Sequence, residues 1–349
     1  IIEASNLGAL IANKTIPDAT TKTIKETLYK NYFNKVIPDQ VTGKSVMSHN
    51  EFFKKFGKNY EAILGKQEYK KLFKIGGGKS PLLTYGNSLT SKLKDISSEE
   101  FDIELAMRYG SPSMEDVLGE MRLKNYDEIY IFPLYPQYAS ASSGSTIEKA
   151  FKIINKWWVI PEVSVIGQFY SNPIYINCMV NRAKEFELSD YDHIMFSYHG
   201  IPERHVDKVY LDGKPCADHS CEDEINEENT HCYKAACYAT SRLLVKALNL
   251  KEGSYSTCFQ SRLGRDPWLK PYTDHVIENL GKEGKKRILV FSPAFVADCL
   301  ETTIEIGEEY LELFKEHGGE KIQLVPSLND NDDWAQGLYE IIKEKVKTI

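Results

Sequence analysis

One histidine and a row of glutamates are the residues of this sequence best suited to chemistry with protons or metal ions. His199 ends an apolar segment typical of a buried strand, and Glu301, Glu305 and Glu309 follow a second such segment at intervals of four residues. Imidazole accepts protons and binds metal ions near neutral pH, and carboxylates do both as well. Because open α/β sheets bind ligands beyond the carboxyl ends of their strands, this pattern predicts a site at one sheet edge.

The spacing of the glutamates predicts that they share one face of an α-helix over residues 300–316. Carboxylates four residues apart repel one another and oppose helix formation unless water or a cation offsets their charge. A solvated acidic face is the simple alternative, but the row starts at the carboxyl end of a predicted strand, which favours a functional site. Asp298, just before the row, is expected to orient His199 or its neighbours.

The rest of the chain alternates predicted strands and helices, which indicates an α/β fold with parallel sheets flanked by helices. Strands are predicted at 101–108, 128–134, 162–169, 192–198, 254–260, 286–292 and 321–325. Helices are predicted over 114–124, 145–158, 174–187, 233–249, 271–280 and 300–316. Residues 76–80 end like a P-loop but lack its first glycine, so we expect a loop there with no helix start behind it.

Size and charge narrow the class of protein. A chain of 349 residues is long enough for two domains, and its net charge of −7 argues against nucleic acid as a partner. No run of residues approaches the ~18 apolar residues of a transmembrane helix. We expect a cytoplasmic protein, or an organellar one if a targeting segment has been removed. The oligomeric state is left open.

Six segments, taken together and in order, resemble the ferrochelatase family, whose members insert ferrous iron into a porphyrin to make haem. They are Ala-Met-Arg-Tyr-Gly at 106–110, Leu-Tyr-Pro-Gln-Tyr at 134–138, Phe-Ser-Tyr-His-Gly-Ile-Pro at 196–202, Phe-Gln-Ser-Arg at 259–262, Pro-Trp-Leu at 267–269 and Ala-Asp-Cys-Leu-Glu at 297–301. The resemblance covers residues 75–330. It implies two Rossmann-like domains with a porphyrin cleft between them, the first formed by 1–155 plus 327–349 and the second by 156–326.

The resemblance also implies a reaction, in which Fe²⁺ and protoporphyrin IX are the substrates and protohaem is the product. Metal insertion requires that two pyrrole protons leave, that the ion loses water and that the ring bends. His199 and Glu301 are predicted to face each other across the cleft as the catalytic pair, and His199, Glu301, Glu305 and Glu309 to handle the metal. Whether His199 accepts a proton, binds the metal or does both stays open, as does the alternative of a histidine satisfied by a backbone carbonyl.

The predicted porphyrin pocket contains a cation, aromatic rings and a hydroxyl group. Arginine can pair with a propionate, and aromatic rings offer a flat apolar surface. The residues are Arg108, Tyr109, Tyr138, Ser197 and Trp268. Cys299 stands where many family members have histidine, and we do not expect a catalytic thiol there.

Other readings of the same features stay open. The chain could serve another tetrapyrrole or metal, such as coproporphyrin or cobalt, or it could be a non-catalytic haem or porphyrin carrier. Residues 28–57 interleave aromatic residues with lysines, as an ordinary surface helix does. By resemblance they would instead form a lip over the cleft that touches the inner face of the membrane.

A cysteine-rich insert at residues 208–232 is the last feature. Cys216, Cys221, Cys232 and Cys237 have the spacing C-x4-C-x10-C-x4-C. Four thiolates can hold a [2Fe–2S] cluster, which some ferrochelatases carry, or a zinc ion. The alternative is that no metal binds and that Cys237, on one helix face with Ser241 and Leu244, is a core residue. Cys178, Cys258 and Cys299 are expected to be buried thiols.

Overall fold

The computed structural model describes residues 80–98, 100–262 and 266–346, which belong to one compact unit. The helices are α1 Pro81–Ser97, α2 Met114–Leu123, α3 Ser145–Ile154, α4 Pro173–Ala183, α5 Glu203–Asp207, α6 Tyr233–Ala247, α7 Thr273–Lys282, α8 Tyr310–Glu316 and α9 Asp332–Val346. The strands are β1 Glu128–Ile131, β2 Glu162–Val165, β3 His193–His199, β4 Tyr255–Gln260, β5 Arg287–Phe291 and β6 Lys321–Leu324. Two π-helical segments, Ser140–Gly144 and Glu301–Glu309, precede α3 and α8.

The larger sheet carries the predicted site. Its strands run in the order β4-β3-β5-β6, and each neighbouring pair is parallel. In β3, all residues except the last are buried, because helices cover both faces of a parallel sheet and leave no solvated side. The register sets His199 beside Gln260 of β4 and Phe196 beside Phe291 of β5. The prediction of parallel sheets flanked by helices is confirmed.

The smaller sheet pairs β1 with β2 in parallel, and the side chains of Ile129 and Ile131 in β1 are buried. The strand predicted at 101–108 is wrong for the described part of the chain. There this segment is held by one bridge, in which the Met107 N–H donates to the Pro112 carbonyl at 2.7 Å. Leu105 and Met107 are buried nevertheless, so the apolar run reflects burial rather than strand pairing.

Residues 28–57 and 76–79 lie outside the described residues. A second correction concerns the segment that follows residue 79. We expected no helix start there, but α1 begins at Pro81, directly after Ser80. Proline is well suited to the first helical position because its fixed φ matches the helix and its missing N–H would be unpaired there anyway.

Helix α9 closes the described chain by packing against α1 and α4. Trp334 of α9 is fully buried and stacks on Phe169 with ring centroids 6.1 Å apart. Among the helices that the structure describes, none combines the length and the apolar character needed to cross a membrane. The predicted domain boundaries near 155 and 327 stay predictions.

Candidate active site

His199 lies at the carboxyl end of β3 and is half-buried. Its Nδ1 lies 2.6 Å from the Gly200 carbonyl oxygen, so a neutral imidazole carries its proton on Nδ1 and keeps a lone pair on Nε2. The Nε2 atom forms no hydrogen bond with the described residues. The sequence left open that a backbone carbonyl satisfies this histidine. Such a carbonyl is present at Nδ1, where it orients the ring and leaves Nε2 available for chemistry.

Aromatic rings flank His199. The ring centroids of Trp268 and Phe295 lie 6.4 and 6.2 Å from that of the imidazole. Gly200 allows this packing, because a Cβ at this position would lie 2.8 Å from the Gln260 carbonyl oxygen and 3.2 Å from the Trp268 ring. The predicted pocket residue Trp268 is therefore next to the predicted catalytic histidine.

Glu301 is the most buried carboxylate of the glutamate row, with a relative exposure of 1%. Neither of its carboxylate oxygens has a hydrogen bond of good geometry to a described residue, but the Cys299 thiol lies close enough to lower the pKa of Glu301. Burial raises the pKa of Glu301, and the nearby His199 lowers it by a smaller amount. The interaction with His199 brings the two predicted catalytic residues into one site. A buried carboxyl group without partners costs free energy, and such cost is typical of functional positions.

The helix that carries the glutamates is π-helical rather than α-helical over Glu301–Glu309. In an α-helix, residues four apart are offset by about 40° around the axis, so the offset reaches about 80° after eight residues. Bonds from i to i+5 widen the turn to roughly 4.4 residues, and the three carboxylates then stay closer to one line. The line runs from buried Glu301 through half-buried Glu305 to exposed Glu309. For Glu301, the alternative of a solvated acidic face is wrong.

Glu305 has a full set of hydrogen bonds. Its Oε1 accepts from the Ser261 N–H at 3.2 Å and the Tyr310 hydroxyl at 2.8 Å, and its Oε2 accepts from Gln260 Nε2 at 3.2 Å and Ser261 Oγ at 2.7 Å. Burial nevertheless raises the pKa of Glu305. Because these four donors use the acceptor sites of both oxygens, a metal ion could bind Glu305 only by displacing some of them.

Two residues support Glu305 from the end of β4. Ser261 has a φ of 64°, a left-handed conformation that is uncommon outside glycine, and in this conformation both its N–H and its hydroxyl reach Glu305. Gln260 is buried, and its Nε2 also donates to the Glu301 carbonyl oxygen at 3.1 Å. Strained backbone that is held by its surroundings is typical of active sites.

Ser197 and Asp298 are placed behind the site rather than in it. Ser197 is fully buried, and its hydroxyl donates to Gln260 Oε1 at 2.7 Å. Asp298 accepts hydrogen bonds from the Thr302 hydroxyl at 3.0 Å and from Asn329 Nδ2 at 2.7 Å. None of these hydrogen bonds reaches His199, and the expectation that Asp298 orients His199 or its neighbours stays a prediction. Through Thr302, Asp298 holds the start of the π-helix.

The other predicted pocket residues come from two loops. The Arg108 guanidinium lies over the Tyr109 ring, with its carbon 4.5 Å from the ring centroid. Arg108 Nε is buried without a hydrogen-bond partner among the described residues. Tyr138 is half-buried, and its hydroxyl approaches the backbone so closely that a Cβ on Gly144 would lie 2.8 Å away.

Three of the four cysteines proposed as metal ligands lie together. The Sγ atoms of Cys216, Cys221 and Cys232 are 3.4, 3.6 and 3.7 Å apart, and they could hold a metal ion together. Hydrogen bonds from the other two thiols lower the pKa of Cys232 to about 2. Cys237 is not part of this group. Cys178, Cys258 and Cys299 are buried free thiols, as predicted.

Sequence reasoning missed the residues that support the site. Gln260 and Ser261 belong to a segment that marked the family, but they received no role. Their position at the carboxyl end of a strand that neighbours β3 is the signal that could have found them. No comparable signal exists for Tyr233, whose hydroxyl donates to the His199 carbonyl oxygen at 2.8 Å, because the two residues are 34 positions apart in the chain.

Known proteins were compared with this chain. The sequence profile of the family described as ferrochelatase matches residues 31–346. A ferrochelatase of Legionella pneumophila strain Corby is 43% identical over 267 residues, which cover 76% of this chain and 79% of the relative. A ferrochelatase of Pseudomonas fluorescens strain SBW25 is 41% identical over 261 residues, or 74% and 76% of the two chains. Among solved structures, SirB from Bacillus subtilis with Fe³⁺ has a TM-score of 0.49 and 12% identity, covering 76% of this chain and 91% of its own.

The α/β fold places a histidine and a buried glutamate at the carboxyl edge of a parallel sheet, which is the kind of site that suits an enzyme working with protons or metal ions. The family profile and the sequence relatives decide which enzyme class this is. The chain belongs to the ferrochelatase family, lyases that insert ferrous iron into a porphyrin. The resemblance found in the sequence is thereby confirmed.

Proposed function

We propose that this chain inserts Fe²⁺ into protoporphyrin IX to form protohaem, and that His199 and Glu301 are its catalytic residues. The observation that carries this assignment is the pairing of an oriented imidazole with a buried carboxyl group that lacks hydrogen-bond partners among the described residues. An apolar ring fits beside the flanking aromatic side chains of Trp268 and Phe295.

In this mechanism His199 Nε2 accepts a pyrrole proton. The Gly200 carbonyl oxygen fixes the tautomer that leaves Nε2 with a lone pair, and an acceptor with that geometry is what general base catalysis requires. Glu301 stabilises the imidazolium that forms, because its carboxylate is close enough to interact with His199. Glu301 is 1% exposed, and charge interactions are stronger at buried positions than in water.

The glutamate row then connects the site with solvent. Glu305 is held by four donors, and Glu309 is exposed. A proton needs one acceptor site of Glu305 and displaces a single donor, whereas a hydrated metal ion needs several bonds and would displace more of them. We therefore assign the row to the outward path of the pyrrole protons.

Glu305→Gln and Glu309→Gln test this assignment as a matched pair. In Glu305→Gln an amide N–H₂ replaces one of the two oxygens and faces groups that are themselves hydrogen-bond donors. Because those donors lose their acceptor, the free energy of unfolding should fall by about 1–3 kcal/mol, and kcat should fall with it. Glu309→Gln, at the exposed end, should change the unfolding free energy by no more than about 0.5 kcal/mol. Denaturant titration and steady-state kinetics measure both quantities. Equal effects of the two changes would contradict the assignment of different environments to Glu305 and Glu309.

The porphyrin pocket includes Arg108, Tyr109, Tyr138 and Trp268. The buried Nε of Arg108, which has no partner among the described residues, would find an acceptor in a propionate group of the porphyrin, and such charge-assisted bonds are strong. Ser197 contributes indirectly, because its hydroxyl is already held by Gln260 and Thr273.

An anaerobic assay tests the function directly. Purified protein mixed with Fe²⁺ and protoporphyrin IX should give the absorption spectrum of haem at a rate proportional to the enzyme concentration. Parallel assays with coproporphyrin and with Co²⁺ test the alternative substrates. A protein that shifts the porphyrin spectrum without metal insertion in any of these mixtures would be a carrier, and the proposal would be wrong.

Cytoplasmic location and a membrane contact of residues 28–57 stay predictions. The insert at 208–232 is proposed to hold a metal centre, either the [2Fe–2S] cluster or the zinc ion that its spacing predicts. The contact of three cysteine sulfurs supports a metal centre.

A further inference from the structure

We infer that Trp158, Val159 and Ile160 form an apolar tip that inserts into the headgroup region of an anionic lipid bilayer and holds the protein reversibly at the membrane surface. The tip lies in the loop between α3 and β2, and it shares no residue with the segment 28–57. Lipid binding of this kind is independent of chelatase activity, which a separate assay measures.

The three residues of the apolar tip are consecutive and highly exposed. Trp158 is 101% exposed, Val159 81% and Ile160 50%. Single exposed apolar side chains are common on protein surfaces, but a run of three in sequence is a liability unless it has a function. Tryptophan is enriched at membrane–water interfaces, because its ring is apolar and its N–H stays hydrated there.

The chain on both sides of the apolar tip is held in place. Trp157, the residue before it, is 8% exposed and belongs to a core cluster with Ile154, and its N–H donates to the Ile154 carbonyl at 2.9 Å. After the tip, the Glu162 N–H donates to the Asp127 carbonyl at 3.0 Å at the start of β2. The tip therefore projects from a rigid base, and its insertion costs little conformational entropy.

Another exposed apolar residue lies at the same edge of the smaller sheet. Leu123 ends α2, four residues before β1 begins at 128, and is 75% exposed. Because β1 and β2 are parallel neighbours, the segments that enter them lie at one edge of the sheet, the amino edge. The predicted pocket residue Tyr138 follows the carboxyl end of β1, so the apolar tip is separate from the candidate active site.

Cations accompany these apolar side chains in the sequence. Residues 121–126 and 149–161 contain no aspartate or glutamate, but they contain Arg122, Lys124, Lys149, Lys152 and Lys156. The middle three of these form ion pairs with acidic residues from elsewhere in the chain. Arg122 and Lys156 are exposed and have no ion-pair partner among the described residues. They are therefore available to anionic lipid headgroups, and each such contact strengthens binding about five-fold.

A lipid surface fits this tip better than a second copy of the chain does. A stable protein–protein interface takes about 20–30 residues from each partner, whereas three consecutive apolar residues and Leu123 are exposed at this edge. A bilayer requires less, because apolar side chains that reach the boundary of the headgroups bind without matching a shaped surface. The whole chain has a net charge of −7, so an anionic surface favours approach through a locally basic edge.

Sedimentation with lipid vesicles tests the inference on the purified protein. Wild-type protein should sediment with vesicles of phosphatidylglycerol and phosphatidylcholine, and much less with vesicles of phosphatidylcholine alone. Trp158→Ser should lower the partition coefficient at least about ten-fold, because it removes a large apolar side chain from the inserted tip. Lys156→Ala should lower the partition coefficient about five-fold, and this difference should disappear at high salt.

Leu211→Ser is the matched control, because Leu211 is 102% exposed and lies in the insert rather than at the apolar tip. It should bind vesicles like wild type. Trp158→Ser should keep the thermal unfolding midpoint and the kcat of wild type, since the ring is fully exposed.

Three results would overturn the inference. The first is wild-type protein that stays in the supernatant with anionic vesicles. The second is Trp158→Ser protein that binds these vesicles like wild type, which would assign the contact to another part of the chain. The third is a wild-type dimer that Trp158→Ser dissociates in sedimentation velocity without lipid, which would make a second copy the occupant of this surface.

Discussion

His199→Ala should lower kcat by about 10²–10⁴-fold, the usual contribution of a positioned general base. In wild-type protein the Nε2 lone pair is available because the Gly200 carbonyl oxygen occupies Nδ1. Alanine removes this acceptor, and no other imidazole among the described residues adjoins Glu301. Porphyrin binding should persist, since Trp268 and Phe295 remain to contact the ring.

The fold should survive this substitution, because the imidazole is half-buried and makes one hydrogen bond, to the neighbouring Gly200. The matched control is His275→Ala, a change of an exposed histidine on α7 that should leave kcat unaltered. Anaerobic turnover, porphyrin fluorescence quenching and thermal unfolding separate catalysis, binding and stability. Turnover of the His199→Ala protein at the wild-type rate would exclude His199 from the chemistry.

Glu301→Gln should lower kcat by at least about 10²-fold, because it removes the charge that stabilises the imidazolium in a water-excluded site. The substitution keeps the size of the side chain, so packing around this fully buried position is preserved. Glu312→Gln, an exposed position on α8 outside the glutamate row, is the matched control and should retain full activity. Equal activity of wild type and Glu301→Gln would show that the buried carboxyl group is structural.

Although Glu301→Gln should lower kcat, it should raise the free energy of unfolding at neutral pH. Burial raises the pKa of Glu301 in the folded protein, so the folded state disfavours the carboxylate. The stability linked to this group is fully present below its unfolded pKa, and it is lost as pH rises through the raised folded pKa. In ligand-free protein, Glu301→Gln should therefore match wild type at acidic pH and exceed its unfolding free energy at neutral pH. Denaturant titrations across this range measure the difference, and a less stable variant at neutral pH would contradict it.

The sequence predicted the chemistry of the site because that information is local. Strands such as His193–His199 are recognisable as continuous apolar runs, since both faces of a parallel sheet are covered. The carboxyl ends of such strands meet at one edge, which placed His199 and Glu301 together without knowledge of the register. The six ordered segments resembled the ferrochelatase family, and the family profile confirms that resemblance.

Local pattern was insufficient where the backbone departs from regular geometry. The spacing of the glutamates predicted an α-helix, but Glu301–Glu309 is π-helical. Just before this segment, Asp298 accepts hydrogen bonds from Thr302 and from Asn329, the latter 31 residues away in the chain. The apolar segment at 101–108 was taken for a strand because burial and strand pairing produce the same composition.

What the sequence by itself determined is which side chains are suited to chemistry and at which edge of the sheet they lie. The tertiary structure decided how they are held. Ser261 donates a hydrogen bond to Glu305, which is 44 residues away in the chain. The spacing from Cys216 to Cys221 equals that from Cys232 to Cys237. The sulfurs of Cys216, Cys221 and Cys232 nevertheless lie together, and that of Cys237 is buried apart from them. These contacts depend on how distant segments approach one another, and a local pattern of residue types carries no information about that approach.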